Sequence, residues 1–241
     1  LVFFIIQDIR STVVRSNIDD FQSFTVLSEE NGGRVVFVPY GVELEGDTEG
    51  LDLLVVDTGN PTIIIDVNNR NEIGTGDVDS AIMNVINGSK TNYMGIYSGP
   101  IEIEGLNKPI MIGDKISYEI RLPIESELLD MPPEREWILL SMENDKTLMR
   151  TWLGFEISKA IGMKYTPNAR YVELFINGDY KGTYLLAEKV EISSNRLDIE
   201  KITPDIISGE GISGGYLMQI DLSRKMKPEL EEPNGKNLYF T

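Results

Sequence analysis

Any acid–base chemistry in this chain must use aspartate, glutamate, lysine or tyrosine, because the sequence contains neither histidine nor cysteine. Catalysis by a Ser-His-Asp or Cys-His arrangement is therefore excluded, and so are disulfides and the common zinc sites. A metal ion would have to be held by oxygen ligands, which suits Mg²⁺, Mn²⁺ or Ca²⁺. The residue types alone assign no position to such a metal site.

Charged residues lie at the start of the most helix-like segment of the chain. Asp145 is favoured as an N-cap, both by hydrogen bonding and by the helix dipole, and Arg150 follows one turn later. One interpretation is that this helix start faces a ligand-binding cleft. The other, which we favour, is a cap with a salt bridge.

The elements that would position these residues are predicted most clearly between residues 137 and 188. Apolar residues recur at helical spacing from Lys146 to Ile161, and Gly162 falls just past the predicted helix end. Two strand-like runs, 171–176 and 179–188, flank Asn177-Gly178, which favours a tight hairpin because both turn residues need positive φ. We expect the helix to pack on the resulting sheet through four apolar side chains: Leu148, Trp152, Leu153 and Ile157.

A series of short motifs runs along the chain from residue 137 to residue 221. They are Trp137-Ile-Leu-Leu, Asp145-Lys146, Leu148-Met149-Arg150, Tyr165-Thr166-Pro167, Val172-Glu173-Leu174, Asn177-Gly178, Tyr180, Gly182, Tyr184-Leu185-Leu186, Glu188 and Gly214-Gly215-Tyr216-Leu217. In the order and spacing of these motifs, residues 137–221 resemble the spore-coat protein H (CotH) family of atypical, secretory-pathway-like kinases, and residues 99–122 carry a partial match.

The resemblance implies ATP-dependent phosphoryl transfer to a protein, with ATP and Mg²⁺ as cofactors. Lys115 aligns with a family lysine that is implied to contact the nucleotide phosphates, and Arg150 is a second cofactor-binding candidate. Glu188 is the candidate catalytic residue, as the acidic partner that would hold Lys115 in place. We therefore expect Lys115, Glu188 and Arg150 to share one cleft. The alternatives are a solvated lysine and an ordinary glutamate, each at a strand end.

Two departures from the family pattern favour a different function. Glu104 stands where the family usually has an arginine, and a carboxylate there would repel phosphate. The family's metal-binding aspartates lie downstream of its Gly-Gly-Tyr-Leu strand. We expect either that the natural protein continues past Thr241 or that this is a shortened relative. The alternative is thus a non-catalytic surface or spore-coat-like binding module that kept the fold.

Composition limits the partners. The chain has 39 acidic and 22 basic residues, giving a net charge of −17. This charge disfavours binding to nucleic acid or to anionic lipid, and no segment approaches transmembrane length. The predicted partner is a protein substrate or a surface-layer protein, and the predicted location is outside a bacterial cell or at its surface.

The predicted fold class is α+β: a mostly antiparallel sheet with the packed helix 146–161, resembling the first half of a CotH-type kinase-like domain. Residues 1–60 are predicted to form a small β-rich segment, either an accessory module or the outer strands of the main domain, and residues 61–241 the CotH-like domain. Within the latter we expect a strand at 62–66, helical turns in 77–88, a strand at 116–122 and a loop at 128–135.

Overall fold

The computed structural model describes residues 13–18, 21–30, 33–41, 52–67, 73–106, 115–199 and 217. The chain divides into two compact units, one of residues 1–107 and 112–189 and the other of residues 108–111 and 190–241. All helices and strands given below lie in the first unit. No helix among the described residues has the length and apolar character that crossing a membrane requires.

The N-terminal strands form a four-stranded sheet. Its strands are β1 (Val13–Ile18), β2 (Phe21–Glu30), β3 (Gly33–Pro39) and β4 (Asp52–Val56), in that spatial order. The β1–β2 and β2–β3 pairs are antiparallel, and β3–β4 is parallel.

The main body is a closed barrel of seven strands. They are β5 (Thr62–Val67), β6 (Val78–Ile86), β7 (Ser98–Gly105), β8 (Tyr118–Leu128), β9 (Met131–Leu140), β10 (Ala169–Ile176) and β11 (Asp179–Glu188). The order around the barrel is β10-β11-β9-β8-β7-β6-β5. Because each antiparallel pair reverses the strand direction, an odd ring must include a parallel pair, and β5–β10 is that pair.

The barrel interior is filled by side chains that alternate along each strand. Ala81, Met83 and Val85 contribute from β6, and Trp137 and Leu139 from β9; all five are buried in one apolar cluster. A period of two places such residues on one face of a strand. The barrel is therefore a packed core.

The predicted α+β class is wrong: the described residues are mostly strand, with the single helix α1 (Arg150–Ala160). No residue of α1 is buried, and Leu153 and Ile157 are about half exposed, at 46% and 52%. Trp152 is only partly buried, against an outer cluster. Leu148 precedes the helix with φ of 57°. The apolar residues at helical spacing thus point to solvent more than to the sheet.

Two strands of the barrel were predicted as other structures. The segment 77–88 was expected to be helical but contains β6, whose inward residues alternate. The segment 128–135 was expected to be a loop because of Pro132-Pro133. It is a tight turn at Leu129-Asp130, with φ of 52° and 58°, followed directly by β9. The prolines are accommodated because the β8–β9 pairing is irregular there.

The hairpin prediction is confirmed. Asn177 and Gly178 join β10 to β11 with φ of 51° and 84°. Asn177 Oδ1 also accepts a hydrogen bond from the Val67 backbone N–H at 2.8 Å. The turn therefore helps to hold β5 against β10, where the barrel closes.

Candidate functional site

Lys115 lies just before β8, and its ammonium group contacts β11. Its Nζ donates a hydrogen bond to the Thr183 carbonyl oxygen at 2.7 Å and lies 4.1 Å from the centroid of the Tyr184 ring. Its backbone N–H donates to Glu143 Oε2 at 2.7 Å. The lysine is thus a fixed, half-buried cation.

Burial lowers the pKa of Lys115 below the ordinary lysine value, because desolvation penalises the charged form. Glu143 and Glu173 act in the opposite direction and raise the pKa, but the effect of burial is larger. An amine in these surroundings can contact an anionic group and can lose its proton more easily than an exposed lysine can.

Glu173 is an acidic residue of this region to which no role was assigned from the sequence. It lies on β10, is 1% exposed, and accepts hydrogen bonds from Thr58 Oγ1 at 2.6 Å and Tyr180 hydroxyl at 2.6 Å. Thr183 Oγ1 also donates to it, at 3.2 Å. Thr183 therefore contacts both Lys115 and Glu173. The signal in the sequence was a lone charge within the apolar strand 171–176.

Glu188 is not placed with Lys115. It ends β11, where its carboxylate accepts hydrogen bonds from the Asn168 backbone N–H at 2.8 Å, Asn168 Nδ2 at 3.0 Å and Tyr165 hydroxyl at 3.2 Å. Thr183, the contact of Lys115, lies five residues earlier on β11, which is about 17 Å at the usual rise per strand residue.

The topology explains this separation. The expected cleft assumed that the strand after Lys115 and the strand ending at Glu188 are antiparallel neighbours. In the barrel β9 lies between β8 and β11 and is antiparallel to both. β8 and β11 therefore run in the same direction, and across β9 Tyr118 is level with Leu186 and Ile120 with Glu188. Lys115, which precedes β8, is thus level with Thr183 and lies short of Glu188 along the strand direction. Whether Glu188 has a catalytic role stays a prediction.

Arg150 is the first residue of α1, and it contacts Asp145. Asp145 Oδ2 accepts the Arg150 backbone N–H at 2.7 Å, and the Arg150 Nε lies 3.6 Å from Oδ1. Thr147 donates to Oδ1 from its hydroxyl at 2.6 Å and from its backbone N–H at 3.0 Å. These hydrogen bonds, first that of the Thr147 hydroxyl, hold the pKa of Asp145 below its usual value. The favoured salt bridge is found, but the predicted N-cap is wrong, because α1 begins at Arg150 and its N-cap is Met149. Asp145 instead lies before the helix and accepts from its first backbone N–H.

Glu104 lies on the outer face of the barrel, opposite Glu119 in the neighbouring strand. This face is strongly charged. Arg121 bridges Glu102 and Glu136, and Lys189 bridges Glu119 and Glu136. A cross-strand pair of carboxylates offers no clamp for phosphate. Among the residues described, no group of three acidic side chains could hold a metal ion.

Part of the chain matches a known protein family. The family model described as CotH kinase protein matches residues 103–240, which is more than half of the chain. The match begins in β7 and includes Lys115, Glu173 and Glu188. Comparison with curated proteins finds no match.

Proposed function

The chain belongs to the CotH kinase protein family, and we propose that it forms part of an ATP-dependent phosphotransferase site that acts on protein. Lys115 is the residue that would contact the phosphates of ATP. The observation that supports this role is the fixed, half-buried ammonium group, held at 2.7 Å on Thr183 beside the buried carboxylate of Glu173.

In this proposal Glu173, and not Glu188, is the acidic partner of Lys115. A phosphate-binding lysine in a phosphotransferase needs an acidic partner that keeps its ammonium group in position. Glu173 is close enough to raise the pKa of Lys115, and it shares Thr183 with that residue. We therefore propose that Glu173 positions Lys115 and keeps it charged when a phosphate approaches.

Mg²⁺ would neutralise the transferred phosphoryl group in such a reaction. The described residues do not fit a metal site, because no three acidic side chains among them converge. No step is therefore assigned to the metal here. The proposed contribution of these residues is the lysine side of the site.

The second candidate function is a non-catalytic binding module at the surface of a bacterial cell or spore. Glu104 favours it, because a carboxylate facing Glu119 replaces the arginine that the family usually has. The charge of −17 would suit a soluble surface protein equally well.

A phosphotransfer assay with the whole chain separates the two functions. We expect transfer from radiolabelled ATP in the presence of Mg²⁺ or Mn²⁺, to the chain itself or to a generic protein acceptor. Lys115→Met should reduce the rate at least tenfold. Lys181→Met is the matched control, because Lys181 lies on the same strand as Thr183 but pairs with Asp179 at 2.7 Å. Equal rates for the two variants, or no transfer by the wild type, would favour the binding module.

A further inference from the structure

Three consecutive residues of β11 surround the ammonium group of Lys115, and each contributes a different feature. Thr183 provides a backbone carbonyl oxygen at 2.7 Å, and Tyr184 provides a ring face at 4.1 Å. Gly182 provides space: a Cβ atom built on it would lie 3.3 Å from Lys115 Nζ. Together these three residues form the 182–184 segment.

Tyr184 contacts Lys115 and the residue after it. Its ring faces the ammonium group, which is the geometry of a cation–π interaction. Its hydroxyl donates to the Ile116 carbonyl oxygen at 2.9 Å. The side chain is 1% exposed, and burial raises its pKa, so the phenol stays neutral and remains a donor. Tyr184 therefore restrains both the side chain of Lys115 and the adjoining backbone.

Gly182 is required for a second reason. It has φ of +83° and lies at the register shift of the β10–β11 pair, where Gly182 is opposite Leu174 and Tyr180 is opposite Phe175. The Thr183 carbonyl and the Tyr184 ring that contact Lys115 follow directly after this irregularity. Any side chain at position 182 would meet the ammonium group, and the flexible lysine would be the group that moves.

We propose that Gly182 and Tyr184 are positioning residues for Lys115. Gly182 leaves room for the ammonium group because it has no side chain, and Tyr184 holds that group against its ring face. The inference rests on the proposed function for its catalytic consequence. Its structural content, that the 182–184 segment holds the ammonium group, can be tested without any activity.

The charged groups around Lys115 and its burial determine how its pKa would change if the ammonium group were displaced. Glu143 and Glu173 raise its pKa, and burial lowers it by more. An ammonium group displaced from the 182–184 segment regains part of its hydration, which weakens the effect of burial. The pKa of Lys115 should then rise toward the ordinary lysine value.

The test is pH-dependent competitive acetylation with acetic anhydride, read for each lysine by mass spectrometry. Gly182→Ala should shift the midpoint for Lys115 upward, while Lys181 serves as the internal comparison. Gly162→Ala is the matched control. Gly162 has φ of +77°, so an alanine there meets the same backbone strain, but nothing lies within 4 Å of its built Cβ. Tyr184→Phe keeps the ring and should leave the Lys115 midpoint as in the wild type.

An unchanged Lys115 midpoint in Gly182→Ala would overturn the role of Gly182. A shifted midpoint in Tyr184→Phe would overturn the assignment to the ring face alone, because the hydroxyl bond to Ile116 would then be needed as well. If the chain transfers phosphate, Gly182→Ala should also slow that transfer at least tenfold relative to Gly162→Ala. If the Lys115 midpoint shifts but neither the wild type nor any variant transfers phosphate, the positioning role is supported and the proposed function is contradicted.

Discussion

Glu173 accepts hydrogen bonds from four side chains although it is almost completely buried. The donors are Thr58, Asn60, Tyr180 and Thr183. Burial of a carboxylate is costly unless its oxygens are bonded, so this set of donors is what allows the charge to remain inside. The two donors Thr58 and Asn60 come from the link between β4 and β5. Glu173 thus connects that link to the hairpin that contacts Lys115.

Replacement of Glu173 by glutamine should destabilise the protein by about 1–3 kcal/mol, because the amide nitrogen would face donors instead of accepting from them. Urea denaturation of wild type and Glu173→Gln measures this. Glu127→Gln, at an exposed position, is the control and should unfold as the wild type does. The same Glu173 variant should lower the pKa of Lys115, because a carboxylate that raises it is gone.

Asp145 gives a pH-dependent prediction. Its pKa is lower in the folded chain than in the unfolded chain, so its contribution to stability is present above the unfolded pKa, about 4. The contribution is lost as the pH falls through the folded pKa. The difference in unfolding free energy between wild type and Asp145→Asn should therefore be constant above about pH 5 and shrink below pH 4. A difference that persists unchanged at pH 2, or that also occurs for exposed Asp77→Asn, would contradict this.

At the level of single residues, the sequence marked Lys115 as a candidate but did not show which side chains surround it. Lys115 could be found because the resemblance marks it. Glu188 was chosen as its partner from strand ends alone, and strand ends do not specify which strands are neighbours. Glu173 could be recognised only when β10, β11 and the β4–β5 link were placed together.

At the level of elements, local signals succeeded where one segment determines its own structure. Asn177-Gly178 requires a tight turn whatever surrounds it, and Gly162 ends α1 with φ of +77° as expected. The strand β6 was missed, although Ala81, Met83 and Val85 alternate along it. The prolines in β9 were misleading because the pairing irregularity that admits them is a tertiary feature.

The two tryptophans test the packing of these elements. Trp152 was expected in the core, but the fully buried tryptophan is Trp137, whose Nε1 donates to the Glu134 carbonyl at 3.2 Å. Trp137→Ala should cost about 3–5 kcal/mol of unfolding free energy. Trp152→Ala should cost roughly half as much, because its ring only partly covers the outer cluster. Urea midpoints would contradict the barrel if Trp152→Ala were the more damaging change.

At the level of the whole molecule, charge opposes nucleotide binding. The chain carries −17, Glu104 replaces an expected arginine, and no described group of acids could hold Mg²⁺. We therefore expect ATP–Mg²⁺ to bind weakly. Calorimetric titration that gave a micromolar dissociation constant would contradict this, and would mean that residues outside those described build the phosphate site.

The closed barrel could not be predicted from local sequence patterns. Closure depends on the parallel pairing of β5 with β10, whose paired residues are more than 100 positions apart in the chain. No local pattern encodes such a pairing. The mostly antiparallel character of the sheet was predictable from hairpins and alternation, but its closure and the outward face of α1 were not.

The central claim, that Lys115 contacts the phosphates of ATP, is tested most directly by labelling the lysines in the presence of nucleotide. The chain is acetylated with trace acetic anhydride alone, with saturating ATP–Mg²⁺, or with adenosine, and each lysine is quantified by mass spectrometry. We expect ATP–Mg²⁺ to protect Lys115 severalfold and adenosine to leave it unprotected, while Lys181 reacts equally in all three samples. Equal labelling of Lys115 with and without ATP–Mg²⁺ would contradict the claim.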